Sequence, residues 1–231
     1  MERIRVQLLG GFAIAIDEAA VHLSNAAERV IAFVALQSTP QRREQVAFTL
    51  WPDHVDQRAL ANLRSVLWRV RTRIDSLLEA DHAYLRLGSR VSVDYRAKLR
   101  ECEDVRARET PDADLTALIH HDTELLPGWY EDWVIDEREW FRNRLLTTCE
   151  AQCRLLREHG DLAQAVDLAF DVVTAEPLRD TAYQELLESL IAAGNHADAM
   201  RHYERYRRRL NDEWGVRPSP AITGLIETIR S

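Results

Sequence analysis

The stretch ALANLRSVLWRVRTRI, Ala59 to Ile74, decides how the first half of this 231-residue chain is read. Leu60, Leu63, Leu67, Val70 and Ile74 recur at steps of three and four. That spacing makes one apolar stripe on a helix of 3.6 residues per turn. On the other side Arg58, Asn62, Ser65 and Arg69 fall at i, i+4, i+7 and i+11. Arginine can fork onto the acceptors of guanine, and asparagine can pair with adenine, both in the major groove of DNA. A core-facing helix with such an outer row meets the requirements of a helix-turn-helix recognition helix. A solvated arginine-rich face is the competing reading, so the flanking sequence has to decide.

Residues 4–9 and 12–16 alternate as short strands around Gly10-Gly11, and 21–23 is a candidate third strand. Ser24 or Asn25 can cap a helix running to about Gln37, which Thr39-Pro40 ends. A short helix spans about Arg42 to Leu50, and Trp51-Pro52-Asp53 breaks it. The long helix starts near Asp56 and is expected to end near Leu78. Tyr84–Leu87 and Val91–Asp94 then flank Gly88-Ser89 as a hairpin. Strands, three helices and a hairpin form the order of a winged helix-turn-helix with an added N-terminal sheet. Arg42 and Arg43, at a helix start, are placed for phosphate. Arg86, Ser89 and Arg90 fall on the expected wing. With Arg73 at the helix end, the candidate DNA contacts are Arg42, Arg43, Arg58, Asn62, Ser65, Arg69, Arg73, Arg86, Ser89 and Arg90.

Beyond Tyr95 the texture is helical. A polar, proline-containing stretch between Glu103 and Asp114 separates two short helical segments. GDLAQA at 160–165 and GNHADA at 194–199 then repeat at 34 residues, the tetratricopeptide period. Gly160 and Gly194 take the turn positions, and Ala165 and Ala199 are small where helices cross. Pro177 stops the first unit, Asn211 is the weaker stop of the second, and a last helix runs from about Pro220 to Ile229. The fold expected is mainly α with a small β component. Residues 1–95 form a winged helix-turn-helix and residues 96–231 an all-α helical repeat.

The net charge of −8 is unevenly divided. Residues 1–95 carry 12 Arg and no Lys against 11 acidic residues, for +1. Residues 96–231 carry −9. A DNA footprint must therefore be a local patch. Three cysteines without a CxxC spacing fit a reducing cytoplasm, and Cys149 and Cys153 read as small buried residues. Neither a signal-peptide layout nor an apolar run long enough for a bilayer is present, so a cytoplasmic protein without membrane contact is expected. The histidines, His120-His121 included, have no metal-ligand grouping. There is no GxxxxGK[ST], GxGxxG or GxSxG, so neither catalysis nor a cofactor is expected. The aromatics Trp129, Tyr130, Trp133, Trp140 and Phe141 read as core packing.

LLPGWYEDWVIDERE at 125–139, EPLRDTAYQELL from Glu176 and AMRHYERYRRRLNDEWGVRPSP from Ala199 resemble the bacterial transcriptional activator domain. LWPD at 50–53 and ANLRSVLWRVR at 61–71 resemble its usual partner, an OmpR-like winged helix. Together they resemble the Streptomyces antibiotic regulatory protein family over nearly the whole chain. The resemblance implies a transcription activator that binds direct repeats in double-stranded promoter DNA, side by side as protomers, and recruits RNA polymerase. On that pattern the Arg58–Ile74 helix reads bases, Gly88-Ser89 is the wing, and the second half serves dimerisation and polymerase contact. Larger relatives append an ATPase and sensor repeats, and no such signal input is visible before Ser231. The rival expectation is a tetratricopeptide-type scaffold whose winged helix binds protein.

Overall fold

The computed structural model describes residues 3–111 and 124–230. Their described residues divide into two compact units, 3–100 with 124–139 and 101–111 with 140–230. The division comes at residue 100, and 124–139 belongs with the first unit.

The first unit opens with β1 (Ile4–Gln7), β2 (Ala13–Ile16) and β3 (Ala19–Ala20). Ile4 and Val6 face the core while Arg5 and Gln7 face out, as the two-residue period of a strand requires. Asp17 and Glu18 both have positive φ between the paired residues Ile16 and Ala19. That is the two-residue turn matching the twist of a hairpin, and it puts the third strand at 19–20 instead of 21–23. Next come α1 (Asn25–Leu36), β4 (Gln41–Arg42), α2 (Arg43–Leu50), α3 (Asp56–Arg73), β5 (Leu78–Ala80), β6 (Tyr84–Leu87), β7 (Val91–Val93) and α4 (Asp94–Ala107). Helix α1 supplies the centre of the core through Val30 to Leu36. Its free C-terminal carbonyls are capped by the Arg96 guanidinium, which donates to Ala35 at 2.8 Å, to Val34 at 3.1 Å, and to Gln37.

Among the described residues two sheets form, in the orders β3-β2-β1-β7 and β4-β6-β5. This corrects the expected hairpin. Tyr84–Leu87 and Val91–Asp94 do not pair with each other: β6 pairs with β4 and β5, and β7 runs parallel to β1. The wing is the β5–β6 hairpin, whose turn is Asp81-His82-Ala83. Gly88 is required for another reason. A Cβ there would lie 2.1 Å from the carbonyl oxygen of Ser76. The chain therefore passes too close to the end of α3 for any side chain. The long helix also stops at Arg73, and Leu78-Glu79-Ala80 is strand.

Residues 124–139 return to this unit. Leu125 bridges Leu9, and the Arg138 guanidinium donates to the carbonyls of Leu125 (2.7 Å), Leu126 (2.5 Å) and Trp129 (2.9 Å). One arginine thus satisfies three loop carbonyls around Pro127 and Gly128. Trp129 and Trp133 are half-buried against Phe12 and Phe33, with ring centroids 5.8 and 5.4 Å apart. Phe141 is buried. Tyr130 and Trp140 are not core residues, at 80% and 49% exposure. Trp140 directly precedes Phe141, so a helical step turns it away from the buried stripe.

The second unit holds α6 (Leu162–Ala175), α7 (Asp180–Ala192), α8 (His196–Trp214), α9 (Pro220–Arg230) and most of α5 (Asp132–His159). The repeat is realised as expected. Gly160 and Gly194 turn with φ of +84° and +75°, and Ala165 and Ala199 are fully buried. Pro177 follows the end of α6. Asn211 does not stop its helix, since α8 continues to Trp214 and closes on the left-handed Gly215, whose N–H donates to Asn211 at 2.9 Å. Polar pairs lie inside the array: Arg157 reaches Glu185 at 2.8 Å, and Arg179 reaches Glu150 at 2.6 Å. Cys102, Cys149 and Cys153 are all buried, and desolvation pushes the Cys149 thiol up to about 12. The helical segment expected after Asp114 and the pair His120-His121 lie outside the described residues. Among the described residues no helix is long and apolar enough to cross a membrane.

Candidate nucleic-acid interface

Helix α3 is fixed by Ala59, Leu63, Val66 and Val70, all buried. Leu60 and Leu67 are only half-buried. A step of about 100° per residue then fixes what points away. Ala61, Ser65, Trp68 and Thr72 form the outermost strip, and all four are exposed. Arg58 and Arg69 flank it on one side, and Arg64 and Arg71 on the other. The expected row therefore runs along one flank of the outer face, and of its members only Ser65 reaches the outermost strip. Asn62 sits deepest on that flank and is half-buried. Arg69 folds back one turn and donates to Ser65 Oγ at 3.1 Å. Arg71 pairs with Asp75 at 2.9 Å, and Arg73 is exposed at the helix end.

The second component lies between α2, α3 and the hairpin. A cleft of about 540 Å³ is lined by the basic Arg42, Arg43 and Arg64, by one carboxylate, Glu44, and by Leu60, His82, Ala83 and Tyr84. Three elements thus bring three guanidinium groups to one place. Arg43 is held there: its N–H donates to Ala83 and its guanidinium to the Asp81 carbonyl, each at 2.9 Å. The hairpin turn is organised by the Asp81 carboxylate, which accepts from the N–H of Tyr84 at 2.6 Å and of Ala83 at 2.7 Å. Those two amides hold this carboxyl below the usual range. Such a turn is a local Asx-type device.

Of the expected wing residues, Arg86 lies on β6 within the hairpin, and Ser89 and Arg90 lie beyond it. Arg86 lies across the hairpin from Glu79 and donates to it at 2.8 Å. The Ser89 N–H also donates to Glu79, at 3.2 Å, and the two contacts hold that carboxyl low. Arg90 is exposed on the link from β6 to β7. None of the three is at the hairpin turn. The structure also brings Arg64 and His82 to the cleft and Trp68 to the outer strip of α3, none of which the sequence singled out. Arg64 and Trp68 were legible from the 100° step, whereas His82 needed the hairpin to be placed first.

A winged helix-turn-helix joined to a tetratricopeptide-like helical array is the class of protein that this fold defines. The sequence pattern described as the bacterial transcriptional activator domain matches residues 90–230. The chain belongs to the bacterial transcriptional activator domain family, and its relatives bear out the resemblance to Streptomyces antibiotic regulatory proteins. It is 29% identical to the transcriptional regulator RedD of Streptomyces coelicolor over 175 residues, which cover 72% of this chain and 45% of RedD. It is 29% identical to the regulatory protein AfsR of Streptomyces griseus over 191 residues, covering 78% of this chain and 19% of AfsR. The chain thus spans less than half the length of these curated relatives. Among solved structures it is similar to Mycobacterium tuberculosis EmbR in complex with a low affinity phosphopeptide. The TM-score is 0.78 at 17% identity, covering all of this chain and 65% of that one. At that identity the likeness is one of fold.

Proposed function

We propose that the chain is a sequence-specific transcription activator that binds double-stranded promoter DNA. The observation that carries this reading is the outer face of α3, flanked by arginines on both sides and set beside the arginine cleft under the hairpin. An α-helix fits the major groove, and arginines on its flanks reach guanine edges or the phosphates on either wall. In this reading Arg58, Asn62, Ser65, Arg64 and Arg69 face the groove. Arg42 and Arg43 hold a phosphate with the hairpin turn, and Arg73, Arg86, Ser89 and Arg90 make outer backbone contacts. The second unit carries −9 of the charge by the 96–231 count and serves partner contacts: a second protomer on a direct repeat, and RNA polymerase. Work on promoter DNA places the chain in the cytoplasm. Because residues 1–95 carry only +1, paired protomers would supply affinity that one cannot.

That low charge also favours the rival, a helical scaffold whose winged helix binds protein. Selection from random duplexes, followed by gel shift, separates them. Enrichment of one motif as a direct repeat supports the DNA reading. No enrichment at low salt, where phosphate contacts are strongest, overturns it.

A further inference from the structure

We propose that Trp68 is a specificity residue that reads a thymine through its C5-methyl group. The inference rests on the DNA reading above and adds a base to it. Trp68 lies in the C-terminal third of α3 and is 70% exposed. It stands on the outermost strip with Ala61 one side and Thr72 the other, between the arginine flanks. The Thr72 hydroxyl is taken up by the Trp68 carbonyl at 2.8 Å, so the strip offers little hydrogen bonding beyond Ser65. Ser65 in turn accepts from Arg69.

An indole in water between guanidinium groups calls for a partner that is anionic at its edges and apolar at its centre. The duplex major groove is such a surface. Its walls are phosphate, and its one apolar group at the base edges is the thymine methyl. A-form RNA does not fit, because its major groove is too narrow for side chains to read. A tryptophan body is apolar with a single N–H donor, so it suits a methyl better than a ring of acceptors. The arginine flanks fix where the helix lies, and Trp68 then selects thymine over cytosine at the position beneath it.

The test uses the full chain. A duplex motif is selected, and each thymine within it is replaced in turn by deoxyuridine, which lacks only the methyl group. Affinity is measured by fluorescence anisotropy for the wild type, Trp68→Ala and Trp68→Phe. One deoxyuridine per half-site is expected to weaken the wild type about three- to tenfold, the scale of one lost apolar contact. Trp68→Ala is expected to bind the thymine duplex more weakly and to ignore the same replacement, and Trp68→Phe to fall between. Circular dichroism checks that the variants are folded, which the exposure of the site favours. A wild type indifferent to every deoxyuridine overturns the proposal, and so does a penalty that persists in Trp68→Ala. Both outcomes leave the DNA reading intact. A wild type that selects no motif at all removes that reading, and this proposal with it.

Discussion

The Arg43 guanidinium donates to the carbonyl oxygen of Asp81 at 2.9 Å, tying the first residue of α2 to the hairpin turn. One side chain thereby closes the cleft in which Arg42 and Arg64 also lie. Arg43→Ala is expected to weaken DNA binding by a similar factor on all sequences, since phosphate contacts carry no direct base information. The slope of log affinity against log salt should become shallower by about one unit. Arg90→Ala, on the link outside the hairpin, is expected to change the slope less. A titration of both variants at several salt concentrations checks the order.

Arg69 and Arg64 stand on opposite flanks of α3. Arg69→Ala is expected to cost about 1–3 kcal/mol and to relax one operator position, as the loss of a bidentate guanine contact does. Arg64→Ala should act on a position toward the hairpin side of the site. Motif selection with each variant measures this. If both retain the wild-type motif and affinity, α3 does not read the groove.

Gly88→Ala tests the close approach at the end of α3. A Cβ would meet the Ser76 carbonyl oxygen at 2.1 Å, and both groups are backbone, so the chain must shift. Overpacking of this kind costs about 1–3 kcal/mol. A lower Tm by thermal melting is the expected result. An unchanged Tm would mean that the link between the sheets adjusts freely.

The three thiols should be inert in the folded protein. All are buried, and desolvation raises Cys149 and Cys153, so those two carry almost no thiolate. A thiol reagent at pH 8 is expected to label none of them until denaturant is added, and all three thereafter. Rapid labelling of the native chain would contradict the packing around α5.

The long helix and the helical repeat were legible because their signals are physical constraints on every residue of a face. Leu63 and Val70 are core for the reason their spacing implies, and Ala165 and Ala199 are small because helices cross there. The wing was misplaced for two reasons. Leu78-Glu79-Ala80 is made of helix-favouring residues, so the helix was carried on to about Leu78 and no strand was read there, and only pairing with β6 makes it one. Gly88-Ser89 carried a hairpin signal, yet the glycine answers the carbonyl of Ser76. With the hairpin misplaced, the cleft of Arg42, Arg43, Arg64 and His82 could not be assembled. Arg86 was expected beside Gly88-Ser89, whereas it stands on β6 opposite Glu79. Arg138 shows the same limit: its three carbonyl partners lie 9 to 13 residues back in a loop that no periodicity describes.

The central claim is that the outer face of α3 lies in the major groove. Methylation interference on a selected duplex tests it most directly, because one reagent marks both grooves. Dimethyl sulfate modifies guanine at N7 in the major groove and adenine at N3 in the minor groove. The account predicts that guanine N7 methylation blocks binding in short blocks repeated in the same orientation, and that Arg69→Ala loses one of the blocked positions in each. Interference confined to adenine N3, or none at any guanine of a bound site, would contradict it.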